Sequence, residues 1–127
     1  MPKLVKKSAK IEPDYFPKTR RAASLASDFK ADDILAYDVQ GLTLIADSFV
    51  ICSARSEPQM KAIANGVRDG MKEVGVRALH TEGTPQDGWL VLDFGDVIFH
   101  VFRTEARKFY DLDGLWADAP RIDLNLE

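Results

Sequence analysis

Asp93 and Asp96 stand three residues apart in GWLVLDFGDVIFHVF, residues 88–102, and His100, one of only two histidines, follows four positions later. Two carboxylates so spaced can meet a divalent cation, and an imidazole beside them can serve as a general base. Asp93-Phe94-Gly95 also spells the three letters with which a protein kinase marks its magnesium-holding aspartate. That reading fails on size, because 127 residues make one domain rather than two lobes. It fails on parts too: the chain has no Gly-rich loop, no strand lysine in the right context and no His-Arg-Asp loop. No third ligand of metal type adjoins the aspartates, and neither a nucleophile nor a second carboxylate is indicated beside His100. The segment therefore implies no catalytic, cofactor or metal site, and His100 reads as a structural or interface residue.

A hairpin positions these side chains. With Gly95-Asp96 as a two-residue type II′ turn, Phe94 faces Val97, Leu92 faces Phe99 and Leu90 faces Val101, all apolar and all on one side. The opposite side pairs Asp93 with Ile98, Val91 with His100 and Trp89 with Phe102. A slip of one residue would scramble both sets, so the clean separation supports this register. The first face must be covered by helices; the second, mixed face is the best candidate surface for a partner.

Around the hairpin, the pattern predicts an α/β domain with a mixed sheet of about five strands and flanking helices. A helix from about Thr19, with Thr19 as a cap, carries Ala22, Leu25, Ala26 and Phe29 on one stripe. Strands follow in DILAYDV and in the continuous apolar run ADSFVICSA. A second helix opens at Ser56 with Gln59 in a capping-box pattern, buries Met60, Ile63, Ala64, Val67, Met71 and Val74, and stops at Gly75. Within it Ala62, Gly66 and Gly70 recur every four residues, which predicts close approach of a neighbouring element. VRALHTEG supplies a third strand ahead of the hairpin, and TEARKFYDLDGLW a short helix with Ala106 and Phe109 after it. Residues 1–17 read as a flexible basic arm, 18–117 as the domain and 118–127 as a short, loosely held acidic tail.

Charge separates arm from body. Residues 1–30 hold eight Lys and Arg against three Asp and Glu, whereas the remainder holds nine against seventeen. An acidic body repels phosphates and suits a basic protein partner. The lone Cys52 excludes an intramolecular disulfide and a multi-cysteine zinc site, and its apolar setting makes it a core residue. No apolar run reaches the length of a bilayer span and no secretory signal opens the chain, so a cytoplasmic compartment without membrane contact is expected.

LAYDVQGLTLIADSFVICSARS, KAIANGV, GWLVLDFGDVIFHVF and RKFYDLDGLW together resemble the ribosomal silencing factor, or Iojap, family, from about Thr19 to Trp116. The most specific part is the hairpin followed at fixed spacing by Arg103, Arg107, Tyr110, Leu112 and Leu115-Trp116. Trp89, Gly95, Asp96, His100, Tyr110, Leu112, Asp113, Leu115 and Trp116 match the family pattern. Ala54-Arg55-Ser56 departs from it, since many relatives carry Gly-Thr-Ser there. The resemblance implies a nucleotidyltransferase-like fold without that class's chemistry. It implies binding to the large ribosomal subunit through the basic ribosomal protein fourteenth in the large-subunit series, on the face where the small subunit docks. Joining would then be blocked by occupied space, and translation repressed. It also implies a homodimer when free and leaves bacterial and organellar sources open; a minor rRNA contact would fall to the basic arm, which extends beyond what the family shares. On this reading the partner-binding residues are Trp89, His100, Phe102, Tyr110 and Trp116 as anchors, with Asp93, Asp96 and Asp113 facing lysines or arginines. Tyr110 and Trp116 are as well suited to packing the terminal segment onto the sheet. A nucleotidyltransferase-like enzyme is the alternative, but it needs a Gly-Ser helix start and an Asp-x-Asp pair on the next strand. Ala54-Arg55 and VRALHTEG supply neither. A generic dimeric adaptor would share the fold and bind another acceptor.

Overall fold

The computed structural model describes residues 11–126. Helix α1 (Phe16–Asp28) is followed by strands β1 (Asp32–Asp38) and β2 (Ser48–Ala54) and helix α2 (Glu57–Glu73). Strands β3 (His80–Thr84), β4 (Trp89–Asp93) and β5 (Val97–Arg103) come next, and the short helices α3 (Thr104–Tyr110) and α4 (Leu112–Leu115) close the order. The five strands form one sheet in the order β1-β2-β5-β4-β3. Only the central pair β2–β5 is parallel. Parallel strands need covering on both faces, and both strands of this pair are buried almost throughout.

The cover differs between the faces. On one side Val50, Cys52, Leu90, Leu92, Phe94, Val97, Phe99 and Val101 pack against Ala22, Ala23 and Ala26 of α1 and Met60, Ile63, Val67 and Met71 of α2. The two helices lie close because α2 offers glycines to α1. Gly66 faces the Phe29 ring and Gly70 faces Leu25, with no room for a Cβ at either position unless those side chains move. Helix α2 begins as its sequence predicts, Ser56 Oγ accepting from the Gln59 backbone N–H. The reciprocal bond is displaced by one residue, Gln59 Oε1 accepting from the Arg55 N–H. Val74 is exposed rather than buried, because the helix has reached its C-cap there and Gly75 turns the chain away at φ 82°.

Three expectations about the chain's ends are corrected. Helix α1 starts at Phe16, and Tyr15 before it is 2 % exposed with its hydroxyl donating to Asp38 at 2.6 Å. The expected arm therefore loses its last residues to the domain, and residues 1–10 lie outside the described part. Thr19 is not a cap: it lies one turn inside the helix, where its hydroxyl donates to the Tyr15 carbonyl and meets Ser48 Oγ. The tail is held rather than loose. The Asp38 N–H donates to the Pro120 carbonyl, the Ile122 N–H donates to the Ala36 carbonyl, and Ala119 and Ile122 are buried. Residues 120–122 thus run along the outer edge of β1 and satisfy backbone groups that would otherwise stay open.

Candidate partner-binding site

The β4–β5 hairpin has the register that its alternation predicts. Trp89 pairs with Phe102, Leu90 with Val101, Val91 with His100, Leu92 with Phe99 and Asp93 with Ile98. The turn is closed by the Phe94 N–H donating to the Val97 carbonyl, with Gly95 at φ 95°. Asp93 turns back on it and accepts from the Gly95 N–H at 2.7 Å. Asp96 pairs with Lys18 of α1 at 2.8 Å. Asp93 is thereby occupied in shaping the turn, and Asp96 in tying the turn to α1. Among the described residues no three His, Cys, Asp or Glu side chains converge as a metal-ligand set.

The mixed face is less open than its sequence implies. Phe102 is 0 % exposed and His100 6 %, so neither presents a surface to a partner. They are covered because α3, α4 and the residues after them fold back over this side of the sheet, adding Ala106, Leu112, Trp116 and Ala119 to Tyr37, Phe49, Ile51 and Ile98. The hydrophobic alternation shows which residues share a face, but not that a later segment returns to cover it.

Trp89 is the hinge between this second core and solvent. Its ring stacks on Phe102 at 4.8 Å and 27° and meets Tyr110 at 4.8 Å and 47°. Its indole N–H donates to His100 Nδ1 at 3.1 Å. That bond makes Nδ1 the acceptor, so the neutral imidazole carries its proton on Nε2, a buried atom with no partner. Burial drives the His100 pKa down to about 4, against a weaker upward pull from Asp113. Phe49 meets the imidazole edge-on at 5.1 Å and meets Trp116 at 5.4 Å, so Trp116 joins the group through Phe49. Tyr110, 44 % exposed, and Phe109, 83 % exposed, bring the aromatic group to the surface.

Arg107 fixes the return segment, through contacts that the sequence pattern does not disclose. Its guanidinium donates to both oxygens of Asp113, at 2.9 and 3.1 Å, to the Asp33 carbonyl at 2.7 Å and to Ser53 Oγ at 2.9 Å. One side chain thus ties α3 to α4, to the bulge in β1 and to β2. Burial pushes the Asp113 carboxyl up, but Arg107 and the Tyr37 hydroxyl more than offset this and hold it below the usual carboxylate range. Asp113 therefore serves inside the fold, where a free lysine-facing carboxylate was expected. Of the eight expected contact residues, Trp89 and Tyr110 meet at the surface and Trp116 lies half-buried behind them. His100 and Phe102 form the floor, and Asp93, Asp96 and Asp113 are engaged elsewhere. Glu82, Asp87 and Val91, which the sequence reading did not select, border a cavity of about 310 Å³ with Trp89 and Tyr110. The pairing of Glu82 with Val91 follows only once β3 is in register with β4.

The sequence and the fold both have known counterparts. Residues 13–127 match the family model described as ribosomal silencing factor during starvation. This chain belongs to the ribosomal silencing factor family. It is 42 % identical over 104 residues to the ribosomal silencing factor RsfS of Bacillus subtilis, covering 82 % of this chain and 88 % of that protein. It is 36 % identical over 105 residues to the chloroplastic protein Iojap of Arabidopsis thaliana, covering 83 % of this chain and 44 % of that longer protein. Among solved structures, a Chromobacterium violaceum protein superposes with a TM-score of 0.75 at 33 % identity, over 84 % of this chain and 88 % of that one. A Bacillus halodurans protein does so with 0.73 at 34 % identity, over 84 % and 97 %. The ribosomal silencing factor fold is thus the five-stranded mixed sheet with flanking helices described above. The Bacillus subtilis relative is named as a silencing factor. No helix among the described residues is long and apolar enough to cross a membrane.

Proposed function

We propose that this chain is a translational silencer that binds the large ribosomal subunit and blocks its joining with the small subunit by occupying space. The acceptor is a basic ribosomal protein on the intersubunit face, the fourteenth in the large-subunit series, and rRNA contact is minor. The free protein is a cytoplasmic homodimer, and no catalytic step or cofactor is needed. Family membership supports the ribosomal partner. The observation that carries the surface assignment is the solvent-facing Trp89–Tyr110 pair, backed by buried Phe102 and His100 and bordered by Glu82 and Asp87. Interfaces are commonly anchored by a few aromatic side chains, each costing about 2 kcal/mol or more on truncation, or roughly thirtyfold in affinity. The acidic body complements a basic acceptor.

The test is sedimentation of the purified protein with isolated large and small subunits through a sucrose gradient. Co-migration with the large subunit and fewer joined ribosomes are expected. Absence from the large-subunit fraction would sink the reading. Tyr110→Ala should weaken co-migration roughly thirtyfold with little change in thermal unfolding. Trp89→Ala should weaken it at least as much and also lower stability, since it removes a stacking partner from Phe102 and the donor from His100.

A further inference from the structure

The Trp89–Tyr110 pair does more than present apolar area. Strand β3 runs beside β4 with Glu82 opposite Val91 and Thr84 opposite Trp89, so the Glu82 carboxylate stands on the same side as the aromatic rings. Gly83 between them has no side chain, and the Trp89 carbonyl approaches so closely that a Cβ there would collide with it. Beyond the strand, Asp87 is fixed across the β3–β4 loop: Thr84 Oγ1 donates to its Oδ2 at 2.9 Å and accepts from its N–H at 3.2 Å. The result is a recess of about 310 Å³ with two aromatic walls, an aliphatic floor at Val91 and two carboxylates on its rim. Among the described residues no cation pairs with Glu82 or Asp87, although seven ion pairs form elsewhere.

We infer that this recess is a pocket for one arginine side chain of a basic protein partner. A planar guanidinium lies flat against an aromatic face and is drawn to its π-cloud, while its N–H groups fork onto carboxylates at the ring edges. The walls here offer rings and the rim offers carboxylates, so both halves of that side chain are matched at once. A phosphate would meet two negative charges at the same rim, and a purely apolar side chain would leave them facing it unpaired. The two carboxylates are exposed, so the attraction is strongest at low ionic strength and screened by salt. This assignment rests on the proposed binding of a basic ribosomal protein, and it places the first specific contact at Glu82, Asp87, Trp89 and Tyr110.

Two measurements on the full chain test it separately from that proposal. The first follows backbone and indole NMR signals during titration with N-acetyl-arginine N-methylamide, and with its neutral isostere N-acetyl-citrulline N-methylamide. The arginine probe should move the Trp89 indole, Val91 and Tyr110 signals, and the citrulline probe should bind about tenfold more weakly or not at all. Glu82→Gln with Asp87→Asn, both exposed and conservative, should remove that preference while leaving the spectrum otherwise unchanged. The second repeats the gradient with this double variant, whose affinity for large subunits should fall about tenfold, with a shallower salt dependence. Equal response to both probes, or an unchanged double variant, overturns the pocket. If the wild type ignores large subunits yet binds the arginine probe, the silencing reading fails and the pocket stands. If it binds large subunits but shows no arginine preference, the pocket fails and silencing stands.

Discussion

His100 should make folding stability pH-dependent in a way that its replacement abolishes. The ring is 6 % exposed, has Phe49 against its edge and accepts at Nδ1 from Trp89. Protonation would place an N–H on Nδ1, facing the indole N–H with a second donor, and would bury a charge that only Asp113 partly compensates. The unfolded chain suffers neither cost, so its histidine titrates at the ordinary 6.5, while in the fold the pKa is about 4. A group held below its unfolded value contributes fully above pH 6.5. Its contribution is then lost progressively as pH falls towards 4, because the unfolded state binds the proton first. The whole gap corresponds to about 3 kcal/mol, of which about 2.5 kcal/mol falls between pH 7.5 and 4.5. Urea unfolding of the wild type and of His100→Leu at both pH values isolates this contribution, because carboxylates elsewhere titrate in both proteins. The wild type should lose about 2.5 kcal/mol more than the variant over that interval. Parallel losses would refute the reasoning and show that the buried ring is protonated as easily as an exposed one.

Arg107→Ala should cost about 3 kcal/mol in urea unfolding, because it strands Asp113 and frees acceptors on β1 and β2. Limited proteolysis should then cut first within residues 104–118, and unchanged protection there would contradict the staple. Gly83→Ala combines a collision with the Trp89 carbonyl and a φ of 88°, so a loss of order 1–3 kcal/mol is expected, read by the same denaturation. Retention of full stability would mean that β3 can shift away from β4 without penalty.

The sequence discloses local periodicity and hides long-range return. The hairpin register was legible to the residue because period-two alternation and a Gly-Asp turn each demand the same pairing. Helix α2 was legible from its stripe and its Ser56 cap, and Cys52 from its apolar neighbours; burial indeed pushes the Cys52 thiol far up. The start of α1 is hidden because Pro17 and the charged residues around it look like a linker, although Pro is suited to the first turn of a helix. The cover over Phe102 and His100 is hidden for another reason. It is made by two short helices and by residues 117–122, too short to carry a clear periodic signal and held by Arg107, by the Tyr37–Asp113 hydrogen bond and by backbone hydrogen bonds to β1. Glu82 and Asp87 had no mark in the sequence, since their meeting with Trp89 needs β3, β4 and the loop between them in place.

The parallel pairing at the centre of the sheet also governs how the chain is made. Ser48 of β2 lies beside Val97 of β5, so β2 must wait for α2, β3 and β4 to be synthesised before its second edge is filled. Until then SFVICSA, buried at every position in the finished fold, is paired only with β1 and displays an unprotected strand edge. Pairing across such a long loop is slow compared with closing a hairpin. The β4–β5 hairpin can therefore form first and dock as a unit. The interval between emergence of β2 and arrival of that hairpin is when the nascent chain is most prone to aggregation.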